Sequence, residues 1–183
     1  WRMPLRRLES EIIRDQMLAV SGQLDLTLGG APVSMDYRPD GTVTIAAKQP
    51  PAARNRRSLY LFQRRNFNHT LLSVFDEPVM ATNCVRRNSS AVVLQSLAML
   101  NDDTVLEQAT HFANRVQELA GPQPTAQVAK AFQLALNRPP SKTETEASLE
   151  SLTKFTTAYG DKQKALAALC HTLFNMNEFL YVQ

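Results

Sequence analysis

Residues 84–102, CVRRNSSAVVLQSLAMLND, place Arg86, Arg87, Asn88, Ser89 and Ser90 directly before an apolar run. Two guanidinium groups ahead of a helix N-terminus suit an anion, because the unpaired amide N–H groups and the helix dipole there already favour negative charge. The same letters read as a helix start, since a serine hydroxyl accepts from the first free N–H groups. They also match the N-x-S glycosylation pattern. Arg86, Arg87 and Asn88, with Gln95, Asn101 and Asp102 downstream and Glu178 near the end, form the candidate polar pocket. The plainer role for the two arginines is to tie a loop to Asp76, Glu77 or Asp102 through charge-assisted hydrogen bonds.

Other chemistry is sparse. Residues 58–67, SLYLFQRRNF, interleave aromatics with arginines, as proteins that stack single-stranded bases do. The net charge is only +3, whereas phosphate neutralisation dominates nucleic-acid affinity, so no nucleic-acid partner is expected. Tyr60 and Phe62 read as core, with Arg64 and Arg65 reaching out to solvent or to carboxylates. His69, His111 and His171 stand alone, without acidic or cysteine partners at ligand spacing, and no metal is expected. Cys84 and Cys170 form one disulfide or none. There is no nucleophile elbow, phosphate loop, dinucleotide fingerprint or zinc-helix motif.

The elements that must position these residues come from the remaining pattern. The chain has 183 residues, 44% hydrophobic and 20% charged, enough for one domain with a true core. No window reaches the roughly 18 apolar residues of a membrane span. Between Arg54 and Arg87 seven arginines face only Asp76 and Glu77, a local +5 that leaves −2 elsewhere.

Leu5, Leu8, Ile12 and Met17 recur at helical spacing and predict a first helix over 5–20, stopped at Ser21-Gly22. RPDG between two alternating stretches predicts a hairpin over 34–46. Residues 48–57 read as loop, and 58–62 are too short to separate strand from helical turn. Residues 91–100 are apolar on nearly every side, which predicts a central helix.

Four more helices follow. The first is capped by Asp102 or Thr104, with Thr104-x-x-Glu107 as a capping box and Leu106, Ala109, Phe112, Ala113, Val116 and Leu119 facing inward. The next is capped by Thr125. The third opens on the Ser141-x-x-Glu144 box and turns Leu149, Leu152, Phe155 and Tyr159 inward. The last is capped by Asp161. The expected fold is mainly α: a helical bundle (91–183) and a first helix (1–22) flanking a basic, irregular, hairpin-containing segment (23–90), all in one domain.

Six segments carry a resemblance: WRMPLRRLESEIIRDQMLAVSGQLDLTLGG, RRSLYLFQRRNF, the FDEP at 75–78, CVRRNSSAVVLQSLAMLND, AFQLALNRPPSKTE and LCHTLFNMNEFLYV. In that order the chain resembles the C-terminal part of the planctomycete-specific domain of unknown function 1553, found in cytochrome c domain-containing proteins. The resemblance implies an exported, periplasmic or cell-surface multidomain bacterial protein, with the N-terminal half of the same domain and a haem c module upstream. Glycans are among the partners it implies. The haem-attachment pattern C-x-x-C-H is absent from these residues, so no cofactor is expected here. Ala91-Val92-Val93 stands where the family carries Thr and Pro, which moves the expected cap back to Ser89 or Ser90. A bacterial setting also removes the sequon reading.

Two functions follow. One is a structural or interaction domain without a catalytic site. The other is part of an enzyme acting on polysaccharide or sulfated glycan, through a pocket around Arg86, Arg87, Asn88, Gln95, Asn101 and Asp102. Convergence of these side chains in a concavity favours the second; capping and mutual pairing favour the first.

Overall fold

A computed structural model of the chain describes residues 5–64, 68–78, 87, 90 and 92–182. They divide into two compact units, Trp1–Arg6 with Val20–Gly22 and Met99–Gln183, and Arg7–Ala19 with Gln23–Ala98. The mainly α reading holds, with one small antiparallel hairpin where RPDG places it.

Arg6–Arg7 is a short strand (β1) and Ser10–Ser21 is α1, of which Arg7 and Ser10–Ala19 belong to the unit containing the hairpin. The first helix therefore starts five residues later than its apolar spacing suggests. Ile13, Met17 and Leu18 are buried along it, and so is Arg14 at 2% exposure. Met35–Tyr37 (β2) pairs with Val43–Ile45 (β3) in the register Met35↔Ile45, Asp36↔Thr44, Tyr37↔Val43. Asp40 shapes the turn by accepting from Thr42 N–H at 2.9 Å and Thr42 Oγ1 at 2.7 Å, the side-chain mimic of a backbone turn. Gly41 supplies the positive φ of 87°.

The 48–57 loop contains one helical turn, Pro51–Arg54 (α2). Ser58–Tyr60 is a 3₁₀ turn, after which Leu61 bridges Val33 in parallel, so the ambiguous stretch is helical turn first and strand second. Val33, Leu61 and Leu72 form a small core, covered by Met35, Ile45 and Tyr60. Thr70–Val74 is α3, unforeseen because five residues are too few to show a period.

Val93–Asn101 is α4, and it is not central. Val93 is 80% exposed, and Leu94, Leu97 and Leu100 are each more than half exposed; Gln95 and Met99 are its buried residues. An all-round apolar helix can be buried on any side, so its sequence does not say which side finds a partner.

The second unit is built from Asp103–Ala120 (α5), Pro124–Leu136 (α6), Lys142–Tyr159 (α7), Lys162–Phe174 (α8) and Asn177–Leu180 (α9), closing on the short strand Tyr181–Val182 (β4). α8 packs on both α5 and α7. Phe112 of α5 stacks on Phe174 at 5.5 Å between ring centroids, and Phe174 meets Phe179 at 5.0 Å. Val116, Val128, Phe132, Leu166, Leu169, Cys170 and Leu173 fill the rest of this core. Leu106 and Leu119, expected inside, are 41% and 56% exposed, and Tyr159 on α7 is 54% exposed.

The caps are mostly those expected. Asp102 accepts from Thr104 N–H at 2.8 Å, Ser141 and Glu144 close a reciprocal capping box, and Asp161 accepts from Gln163 N–H at 2.7 Å. Thr125 is not a cap. Pro124 already occupies the first turn of α6, and Gln123 precedes it with no side-chain cap bond, as suits a residue whose ring presets a helical φ and has no N–H to satisfy.

Candidate functional site

The loop after α3 turns at Asp76, whose φ of 61° is one of two positive values outside glycine among the described residues. In that left-handed conformation its carboxylate accepts from Arg7 Nη2 at 2.8 Å, from Ser90 N–H at 2.7 Å and from Ser90 Oγ at 2.8 Å. Arg7 also donates to the carbonyls of Ser90 at 2.6 Å and Phe75 at 3.0 Å, and lies over the Phe75 ring. Burial alone would push the Asp76 carboxyl up, but the Ser90 amide, the Arg7 guanidinium and the Ser90 hydroxyl together bring it below its ordinary value.

Gln95 binds the same node from α4. Its side-chain amide donates to Val74 O at 3.1 Å and Ser90 O at 3.2 Å, with Ser90 Oγ at 3.4 Å. Ser90 therefore serves Asp76 and Gln95, three residues ahead of α4. It is not the cap expected of it, and Ser89 lies outside the described residues.

Arg87 lays a bidentate fork on Glu11 of α1, Nη1 at 2.7 Å and Nη2 at 2.9 Å, with Glu9 at 3.4 Å. Its carboxylates are thus Glu11 of α1 and Glu9 just before it, whereas Asp76, one of the three expected, goes to Arg7. Burial raises the Glu11 carboxyl, yet the bonds from Arg87, its own backbone and Ser10 lower it overall. Glu77 is 6% exposed and contacts the Gln63 side-chain amide; burial, then the charge of Glu11, push it up to about 7.

Arg14 of α1 and Arg56 of the basic segment are buried, whereas Arg57, Arg64 and Arg87 are exposed. Arg14 donates to Arg56 O at 2.9 Å, Ser58 Oγ at 3.1 Å and Arg54 O at 2.8 Å. Arg56 donates to the carbonyls of Ala31, Thr27 and Gly29 and lies 3.7 Å from the Tyr60 ring centroid. Guanidinium forks that satisfy loop carbonyls replace the regular secondary structure this segment lacks. Buried His69 falls to about 3, through burial first and then the Arg14 charge.

Of the six candidate residues, Gln95 joins the Asp76 node and Arg87 holds α1 within the same unit. Asp102 belongs to the helical unit, where it caps α5, and Asn101 is exposed at the end of α4. Arg86 and Asn88 lie outside the described residues. Glu178 is held by Arg138 at 2.7 Å, which also forks onto Glu144. Sequence reading missed Arg7, Arg14, Arg56 and Gln63. A signal existed for Arg14, which shares a helical stripe with buried Ser10, Leu18 and Ser21.

Among the described residues no group of three or more His, Cys, Asp and Glu is placed to hold a metal. Cys170 is a free, buried thiol whose burial pushes its pKa up. No helix of the described residues is long and apolar enough to cross a membrane.

The model of a family described as PSD1, protein of unknown function (DUF1553), matches residues 1–152. No curated protein and no solved structure matches the chain.

Proposed function

We propose that this chain, which belongs to the DUF1553 family of proteins of unknown function, is a non-catalytic structural or interaction module of an exported multidomain bacterial protein. The observation that carries this reading is the Arg87 fork on Glu11. Arg87, one of the two arginines proposed to receive an anionic substrate, is already neutralised by a carboxylate of α1, and Gln95 is consumed by Val74 and Ser90. Its partners are then the preceding part of the same domain, upstream domains and glycans. Haem c belongs to one of those domains, and the periplasm or cell surface is the location this implies.

A second reading, an enzyme acting on polysaccharide or sulfated glycan, draws on one observation. Glu77 is raised towards neutrality beside Glu11, which is lowered, and two carboxyl groups driven apart are what acid–base catalysis needs. Glu77 is almost wholly buried, so a sugar would have to reach an interior carboxyl.

The test is glycan-array binding and polysaccharide-hydrolysis screening of the full-length protein, beside Arg87→Ala and Glu77→Gln, with urea unfolding of all three. The module reading expects Arg87→Ala to cost about 1 kcal/mol, as partly exposed pairs do, with no turnover from any form. Turnover that either substitution abolishes at unchanged stability would overturn it.

A further inference from the structure

The apolar face of the hairpin runs on past the core it covers. Met35 and Tyr37 lie on one face of β2 and pair with Ile45 and Val43. Met35 and Ile45 pack against Val33, Leu61 and Leu72. Tyr37 continues the row beyond them and is 63% exposed, and Phe62 is 42% exposed. Pro32, Met35, Tyr37, Val43, Phe62 and Arg64 line a concavity of about 280 Å³, room for one large side chain.

Its rim carries a cation. The Arg64 guanidinium stands 5.2 Å from the Phe62 ring centroid and has no ion-pair partner among the described residues. By contrast Arg14 and Arg56 are spent on loop carbonyls, and Arg57 stands 3.8 Å from Asp15.

Beside the concavity, no described residue pairs with the outer edge of β2 at Met35. Arg38 N–H donates to Thr42 O and Ala46 N–H to Ser34 O, so the even-numbered residues of this strand face β3. By alternation, Met35 N–H and C=O face the opposite edge. Val33 uses that edge for Tyr60 O and Phe62 N–H, and Phe62 donates the last of these two bonds.

A one-residue apolar cavity, a cation without an ion-pair partner among the described residues and a strand edge in one place match the requirements of a single kind of occupant. We propose that the β2 edge binds an extended acidic peptide segment of a partner protein. Its backbone adds to the sheet at Met35, one aromatic or large aliphatic side chain enters the concavity, and a neighbouring carboxylate pairs with Arg64. This goes beyond the module reading and stands on different residues. It can fail while the Arg87 loop remains structural, and the hydrolysis screen can fail it in neither direction.

The test titrates the ¹⁵N-labelled 183-residue chain with the capped peptide acetyl-Thr-Glu-Phe-Glu-Thr-amide. Amide shifts confined to the segments around Met35 and Arg64 are expected. Replacing both Glu by Lys in the peptide should weaken binding about three- to five-fold, and replacing Phe by Ala about ten-fold or more. N-methylation of the peptide backbone beside the Phe should abolish it. Arg64→Glu, an exposed change whose fold is checked by its own spectrum, should reverse the preference to the Lys peptide, and Arg64→Gln should erase it. No shifts at Met35 up to millimolar peptide, equal binding of the Glu and Lys peptides, or undiminished binding of the N-methylated one would each overturn the proposal. So would maltopentaose moving the same amides more strongly, which would make the concavity a sugar site.

Discussion

Arg7 Nη2 meets Asp76 Oδ2 at 2.8 Å across 69 positions of sequence, with the Arg7 side chain only 4% exposed and the Asp76 side chain 23% exposed. The guanidinium closes β1 onto the Phe75 and Ser90 carbonyls, and the carboxylate closes the turn after α3 onto the Ser90 amide. Removing Arg7 leaves the partly buried Asp76 carboxylate without its counter-charge. Arg7→Met should therefore destabilise the protein by about 3 kcal/mol in urea unfolding. Asp76→Asn, which keeps the shape and tolerates positive φ, should cost less. Equal stability of Arg7→Met and the parent would show that the node contributes nothing.

Arg14 and Arg56 make a separate prediction, because most of their acceptors are backbone carbonyls. Arg14→Leu keeps the buried bulk but leaves the carbonyls of Arg54 and Arg56 without that donor. A loss of about 3 kcal/mol is expected from stranded polar groups. Arg56→Lys keeps the charge but loses the planar fork and the stacking on Tyr60, for about 2 kcal/mol. If Arg56→Lys matched the parent in chemical denaturation, charge and not geometry would be the requirement.

In the helical unit, Arg138 joins the α6–α7 turn to α9 by forking onto Glu144 while its Nε donates to Glu178 at 2.9 Å. Glu144 is held down to about 2, first by Arg138 and next by the Ser141 amide. A depressed carboxyl contributes stability above its ordinary pKa, and that contribution is lost as pH falls from about 4.5 towards 2. Ser141→Ala should cost about 1 kcal/mol at neutral pH, and Arg138→Ala should flatten the acid side of the stability profile over that window. An unchanged profile for Arg138→Ala would remove the network from the account.

These networks show where sequence reading reaches and where it stops. The Ser141–Glu144 box, the Asp161 cap and the Pro39–Gly41 turn were legible because cause and effect lie within three or four residues. The burial of α4 was misread for the opposite reason: Leu94, Leu97 and Met99 have similar letters, and only tertiary cover separates the exposed pair from the buried one. The Arg87 fork was half legible. Its role as a tie was foreseen, but the partner on α1 lies 76 positions away. Arg14 was not legible from its partners, because two of them are main-chain carbonyls 40 and 42 positions on, and a carbonyl has no letter.

Two interior groups of the hairpin-containing unit should give the protein a pH dependence that neither shows alone. Glu77 is raised from 4.5 to about 7, by burial and then by Glu11, against the opposing charge of Arg87 and the Gln63 bond. The folded state then binds the extra proton between those values, so this group makes stability fall as pH rises from 4.5 to 7. His69 is lowered from 6.5 to about 3, by burial and then by Arg14. Here the unfolded state binds the extra proton, so stability falls as pH drops from 6.5 towards 3. The slopes oppose each other between 4.5 and 6.5, and the parent should be nearly flat there. Glu77→Gln should unmask the histidine, leaving a protein that loses on the order of 2 kcal/mol on acidification through that window. His69→Gln should unmask the glutamate, leaving one that gains a similar amount. Urea midpoints of the three proteins at pH 4.5, 5.5, 6.5 and 7.5 decide it. Parallel profiles would mean that neither group titrates with the shift its surroundings impose.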